Sequence, residues 1–297
     1  MGGAERNPSK AFRGGNQELE IRNNEPKTNK RSAWLCADLG LMGYEEAHDL
    51  QLRLVAAISS GAIATDILLL TEHSPVFTLG RRGGLTNIRV PKTVFEEAQI
   101  PIVHVERGGD ITFHGPGQLV GYPVIDLRAA GLTVTAYVER LEEVMIRTAA
   151  KFGVHAARNP LNRGIWVGDR KLGSLGIAIR RGIAFHGFAL NVNVSLEPFG
   201  WIDPCGLQGV KMTSIVREIE LERLSNGCET ASLDNGRLGR PHTGLESCEA
   251  AGLTSKAVRE QIKAAIEDVF GVDLQQEVPP SCGLSCVRLL DRTGTNS

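Results

Sequence analysis

Residues 107–118 read R-G-G-D-I-T-F-H-G-P-G-Q, and no other stretch constrains the chain as much. Gly108, Gly109, Gly115, Pro116 and Gly117 bracket the short apolar run I-T-F. Glycine lets a backbone approach a ligand closely or adopt positive φ. The expectation is a stiff turn–strand–turn presenting Arg107, Asp110, Thr112, His114 and backbone N–H groups at one surface. Two tight turns joining buried strands would carry the same local pattern. The spacing matches neither glycine-rich nucleotide fingerprint, so phosphate cradling is not implied.

The chain around this segment is long enough, at 297 residues, for one large domain or two small ones. Its 33 basic and 34 acidic residues leave a net charge of −1, which gives no global field for nucleic acid or an anionic membrane. No apolar run is long enough to span a bilayer. The first residues, M-G-G-A-E-R-N-P-S-K, lack a signal-peptide core, and the glutamates that follow argue against an organellar transit segment. These features predict a cytoplasmic protein. Cysteines stand at 36, 205, 228, 248, 282 and 286 without any C-x-x-C pair, so neither a disulfide framework nor a metal site is expected.

Residues 1–32 are polar and aperiodic and read as a disordered leader. Residues 33–278 form the predicted folded domain. Ala47, Leu50, Leu54 and Ile58 fall on one helical face, ended by Gly61. I-L-L-L at 67–70 and V-F-T-L at 76–79 read as two strands joined by a turn at His73-Ser74-Pro75, with further strands at 102–105 and 119–127. The clearest helix, over 133–152, places Tyr137, Leu141, Val144, Met145, Thr148 and Phe152 on one stripe before Gly153. Residues 164–194 read as an antiparallel meander turning at Gly168-Asp169 and near Arg181-Gly182. A polar, glycine-rich mobile insertion is expected over 222–254, a last helix over 255–270, and a loose tail over 279–297. Helices mixed with antiparallel strands indicate an α+β fold: a mixed or antiparallel sheet with packed helices.

Two residues outside the opening segment invite chemistry. Cys205, in D-P-C-G, sits on a tight turn that exposes a thiol. A turn cysteine without any role looks the same until an electropositive neighbour favours the thiolate. Lys171 begins a strand that continues L-G-S-L-G, a lane of small residues that an acyl chain could follow. If the two converge, the ammonium would stabilise the thiolate, and a desolvated lysine could act as base. His114 and His186 share the context Phe-His-Gly and suggest paired walls of one cavity; the other histidines read as structural or solvated.

Taken together, F-T-L-G at 77–80, the 107–118 segment, K-L-G-S-L-G at 171–176, F-H-G-F-A-L-N-V at 185–192 and D-P-C-G at 203–206 resemble the lipoyl/octanoyl transferase family, in order and over about residues 34–217. The resemblance implies the α+β catalytic domain shared with biotin and lipoate protein ligases. It implies a Cys205 nucleophile that becomes acyl thioester and a Lys171 that lowers the thiol pKa and acts as base. It implies an acyl site lined by Arg107, Gly108, Gly109, Asp110, Ile111, Thr112, Phe113, His114, Ser174, Leu175, Gly176, Gly187, Phe188 and Ala189. No cofactor or metal is implied. The implied donor is octanoyl-acyl carrier protein. The implied acceptors are lipoyl domains of 2-oxoacid dehydrogenase complexes and the glycine cleavage H protein. Three other readings remain at this point: an ATP-dependent lipoate or biotin ligase on the same fold, an acyl-carrier binding module, and a Cys–His hydrolase using His114 or His186.

Overall fold

The computed structural model describes residues 32–160, 162–206, 209–225 and 253–276, without the side chains of Leu85, Cys205 and Gln276. All of them fall in the unit Arg31–Ser297. Residues 1–31 of the predicted leader, most of the 222–254 insertion and the tail lie outside the described residues, and Ser32 already belongs to a strand.

The main sheet has the strand order β12-β1-β2-β6-β10-β9-β8-β7, with β11 on β9. Its strands are β1 (Ser32–Met42), β2 (Ile67–His73), β6 (Gln118–Asp126), β7 (Ala157–Asn159), β8 (Asn162–Val167), β9 (Arg170–Arg180), β10 (Ile183–Asn191), β11 (Lys211–Met212) and β12 (Val272–Gln276). β1 pairs in parallel with both β2 and β12, whereas β2–β6–β10–β9–β8 are antiparallel neighbours. The α+β expectation of a mixed sheet with packed helices is therefore met.

Both faces of this sheet are covered. Helix α1 (Tyr44–Ser60) packs Ala47, Leu50 and Leu54 against Ile67, Leu69, Val120, Tyr122 and Phe185. Helices α3 (Val134–Ala150) and α5 (Ser255–Phe270) pack Tyr137, Leu141, Val258, Ile262 and Ile266 against Leu68, Leu70, Leu119, Phe188 and Leu190 on the other side. Alternate residues of a strand face opposite ways, so Ile67–Leu70 must be apolar throughout. The caps match the chemistry of the sequence. Thr133 and Thr254 accept N–H bonds from Ala136 and Ala257, and Gly61 and Gly271 close α1 and α5 in the left-handed region.

β2 and β3 (Val76–Leu79) are not a hairpin, in contrast to the sequence reading. The chain leaves the main sheet at Pro75, and β3 instead joins a three-stranded sheet between β4 (Ile102–His104) and β5 (Ile111–His114). Pro75 has no N–H to donate to a ladder with β2. Helix α2 (Lys92–Ala98) and a 3-10 turn at Glu197–Trp201 pack Phe95 and Phe199 on this small sheet. Helix α4 (Ile215–Ser225) also runs into the stretch read as insertion, so residues 222–225 are helical.

Candidate active site

The 107–118 segment folds as a turn, strand β5 and a second turn. Arg107 is buried, and its Nη2 donates to Thr78 O at 2.6 Å and Thr78 Oγ1 at 2.7 Å. Gly108 N–H donates to Ile177 O at 2.8 Å, which ties the first turn to β9. Asp110 accepts from Ile111 N–H and from Asn87 Nδ2, both at 2.6 Å. In the second turn, Gly117 has φ +84 and a β-carbon there would lie 2.7 Å from Asn193 O, so glycine is required; its N–H donates to Glu72 Oε2 at 2.8 Å.

His114 is held by both ring nitrogens. Nδ1 lies 2.6 Å from Gln118 Oε1 and Nε2 lies 3.3 Å from the Thr78 hydroxyl. An amide oxygen only accepts, so Nδ1 carries the proton. Burial pushes the His114 pKa down to about 3 and that of His73 down to about 4, which keeps both rings neutral. His73 donates through Nδ1 to Met42 O at 2.9 Å and faces the Tyr122 hydroxyl through Nε2 at 2.7 Å.

One cavity gathers Arg107, Gly109, Asp110, Thr112, His114, Ser174, Leu175, Gly176, Gly187, Phe188 and Ala189 from the predicted lining. Gly108 lies on a neighbouring groove instead. Ile111 and Phe113 take the opposite parity of β5 and bury their side chains with Phe77 and Phe199 in the small-sheet core. Tyr44, Val120, Tyr122 and His186 complete the cavity wall. The strand pairing explains the convergence: Gly187 opposes Gly176 and Ala189 opposes Ser174 across β10 and β9. Small residues at these sites leave the sheet surface thin, and a β-carbon on Gly176 would lie 2.9 Å from Arg107 Cδ.

The groove, about 570 Å3, shares Gly109, Asp110, Leu175 and Gly176 with the cavity. It is also lined by Asn162 and Gly206. Asn162 is the partner of Lys171, whose Nζ donates to Asn162 Oδ1 at 2.5 Å and lies 5.4 Å from the Trp166 ring centroid. The Lys171 side chain is buried, and Gly164 leaves room for it: a β-carbon there would meet Lys171 Cε at 3.0 Å and Gly173 O at 2.3 Å. Gly164 N–H is in turn held by Glu142 Oε1 at 2.9 Å.

Cys205 lies on the 3-10 turn Pro204–Gly206; its side chain is outside the described part of the structure. The turn is fastened on both sides. Asp203 accepts from Arg89 Nε at 2.5 Å and donates its N–H to Asn87 O at 2.8 Å, while Gly206 N–H donates to Asp203 O at 3.0 Å. A β-carbon on Gly206 would lie 2.9 Å from Asp110 Oδ2, so the turn packs directly on the Asp110 carboxylate. The chain then runs to β11, which pairs Met212 with Lys171, and Thr213 N–H donates to Lys171 O at 2.9 Å. Asn87, Asn162, Arg89 and Glu142 were absent from the sequence reading. Each is an ordinary polar residue, Asn162 at the start of β8 and Glu142 on α3 among them, and nothing in its local sequence marks it.

This mixed sheet is covered on both faces and carries a cavity between β5, β9 and β10. Residues 43–226 match the model of the lipoyl protein ligase A/B catalytic domain, and the chain belongs to that family. An octanoyltransferase of Desulfotalea psychrophila (strain LSv54 / DSM 12343) is 52% identical over 183 residues, covering 61% of this chain and 82% of the relative. One from Syntrophobacter fumaroxidans (strain DSM 10017 / MPOB) is 47% identical over 187 residues, 63% and 81% of the two chains. Among solved structures, lipoate-protein ligase A bound with ATP aligns with a TM-score of 0.55 at 12% identity, over 90% of this chain and 97% of that one. A bi-partite lipoate protein ligase from Thermoplasma acidophilum aligns at 0.53 and 15% identity, over 90% and 94%. At such identities the structures establish the shared fold.

Proposed function

We propose that the chain transfers an octanoyl or lipoyl group from acyl carrier protein to the lysine of a lipoyl-carrier domain, through a thioester on Cys205. The octanoyltransferase relatives support octanoyl transfer in protein lipoylation, and the family implies an acyl donor and lipoyl-domain acceptors. The single observation that carries the mechanism is the shared groove: Asn162, which binds Lys171, and Gly206, which follows Cys205, line the same walls.

The chemistry balances on these residues. The Cys205 thiolate attacks the donor thioester carbonyl; the new C–S bond forms as the carrier thiolate leaves and takes a proton. The acceptor amine then attacks the acyl-enzyme, the amide C–N bond forms, and the Cys205 thiolate is released. Lys171 receives the Cys205 proton and later assists loss of the amine proton. Exchange of thioesters followed by aminolysis needs no ATP and no cofactor. The acyl chain occupies the cavity between Ser174–Gly176 and Gly187–Ala189, with Arg107, Gly109, Asp110, Thr112 and His114 as the facing wall.

The domain is taken as residues 33–278 and its setting as the cytoplasm. No helix among the described residues is long and apolar enough to cross a membrane. The named acceptors are the lipoyl domains of 2-oxoacid dehydrogenase complexes and the glycine cleavage H protein.

Incubation with octanoyl-carrier protein in the absence of ATP tests the reading. Intact-mass measurement is expected to find one octanoyl adduct, absent from Cys205→Ser, and transfer to a lipoyl domain. An unaltered adduct in Cys205→Ser removes the nucleophile assignment, and an absolute requirement for ATP and free acid transfers the chain to the ligases.

A further inference from the structure

The residue just before the opening segment, Glu106, meets two histidines from distant parts of the chain. His48 comes from α1 and His186 from β10. Glu106 Oε2 lies 2.9 Å from His48 Nε2 and 3.8 Å from His186 Nε2, and one donor atom from each of the three residues lies within 4.8 Å of the others.

His186 is what distinguishes this group from a surface ion pair. It is 1% exposed, and neither ring nitrogen has a hydrogen-bond partner. Buried polar nitrogens are normally satisfied. Its backbone is held at φ +54 within a strand, a region that residues other than glycine seldom occupy. By strand parity His186 would follow Ala184 and Phe188 toward α3. Instead its ring stacks 5.3 Å from that of His48, on the α1 side. The local backbone thus aims an imidazole without a close hydrogen bond at the Glu106 carboxylate.

We propose that His48, Glu106 and His186 form a binding site for one divalent transition-metal ion, with zinc the best match. Zinc binds histidine nitrogen and carboxylate oxygen at about 2.0–2.2 Å with tetrahedral preference, which sets neighbouring donors about 3.3 Å apart. The observed 2.9 and 3.8 Å separations from Glu106 Oε2 bracket that spacing. Two imidazoles and one carboxylate form a borderline donor set that suits zinc or cobalt over magnesium or calcium. The side chains of His48 and Glu106 are 19% and 31% exposed, so water can reach the fourth position. Arg180 pairs with the other oxygen, its Nη2 lying 3.5 Å from Glu106 Oε1 on a half-exposed side chain, and Arg107 also faces His186 electrostatically. His186 also lines the acyl cavity, so a bound ion would fix that wall.

The site is independent of the acyl-transfer reading, and metal content reports on it directly. Full-length protein, stripped with chelator and dialysed against zinc chloride, is expected to hold one equivalent more than His48→Ala or Glu106→Gln, with zinc affinity in either variant lower by more than about 100-fold. Cobalt(II) loaded in place of zinc is expected to give a visible ligand-field band in the wild type that both variants lack, while Glu106→Asp retains it. Both substituted side chains reach solvent, and a thermal melt confirms that the variants fold. Equal metal content in the wild type and both folded variants, or the absence of a cobalt band in the wild type, overturns the proposal.

Discussion

Lys171 Nζ donates to Asn162 Oδ1 at 2.5 Å, across the hairpin formed by β8 and β9. Asn162 lines the groove wall, and the Lys171 side chain is buried. Asn162 is therefore one of the groups that orient the ammonium, with the Trp166 ring another. Replacing Asn162 by Ala is expected to lower kcat for octanoyl transfer by about 10–100-fold, the scale on which a misplaced catalytic group slows a reaction. Lys171→Ala is expected to cost more, about 100–10,000-fold, because the proposed proton acceptor itself is lost. Steady-state kinetics with octanoyl-carrier protein distinguish the two. An Asn162→Ala enzyme with unchanged kcat would show that the hydrogen bond does not position the lysine for catalysis.

The β6–β10 contact tolerates no side chain at position 187. A β-carbon there would lie 2.2 Å from Gly121 O and 2.8 Å from Pro123 Cδ, so backbone must move. Gly187→Ala is expected to destabilise the fold by about 1–3 kcal/mol, the range for overpacking. Gly200→Ala meets nothing within 4 Å and serves as the matched control, expected within about 0.5 kcal/mol of the wild type. Denaturant midpoints compare them.

Two buried histidines set an acid limit on stability. Burial lowers the pKa of His73 to about 4 and of His114 to about 3, both from 6.5. In the unfolded chain each ring takes up its proton near the ordinary value, so the unfolded state binds more protons as pH falls below 6.5. Their contribution is thus fully present above pH 6.5 and is lost as pH falls from there through about 4 and then 3. Each histidine contributes a slope of about 1.4 kcal/mol per pH unit within its window. Unfolding free energies measured from pH 7 to pH 4 are expected to fall, and His73→Gln to flatten the upper part of that fall. A pH-independent stability over this range would contradict the neutral, buried state of both rings.

Helices α1, α3 and α5 were legible because their signals are local, although α3 ends at Ala150 and not at Gly153. The apolar stripes of α1, α3 and α5 repeat at helical spacing, and Gly61, Thr133 and Gly271 mark the boundaries they later occupy. The meander β8–β9–β10 was legible for the same reason, since Gly168 and the Arg181-Gly182 pair adopt positive φ at its turns. β1, β12, α2 and α4 carry weaker patterns. β1 and β12 are stabilised by parallel pairing between opposite ends of the described chain, which no local window contains.

The motifs in this chain determined that a glycine-rich wall, a lane of small residues and a turn cysteine occur in one order, because each depends on backbone needs written in a few adjacent residues. The tertiary structure decided the rest. It brought Gly176 opposite Gly187 and turned Ile111 and Phe113 into a core. It set Asn162 and Gly206 on one groove and directed His186 at Glu106. Those relations rest on sheet register, strand parity and one positive φ, and such pairings between distant residues exist only once the chain has folded.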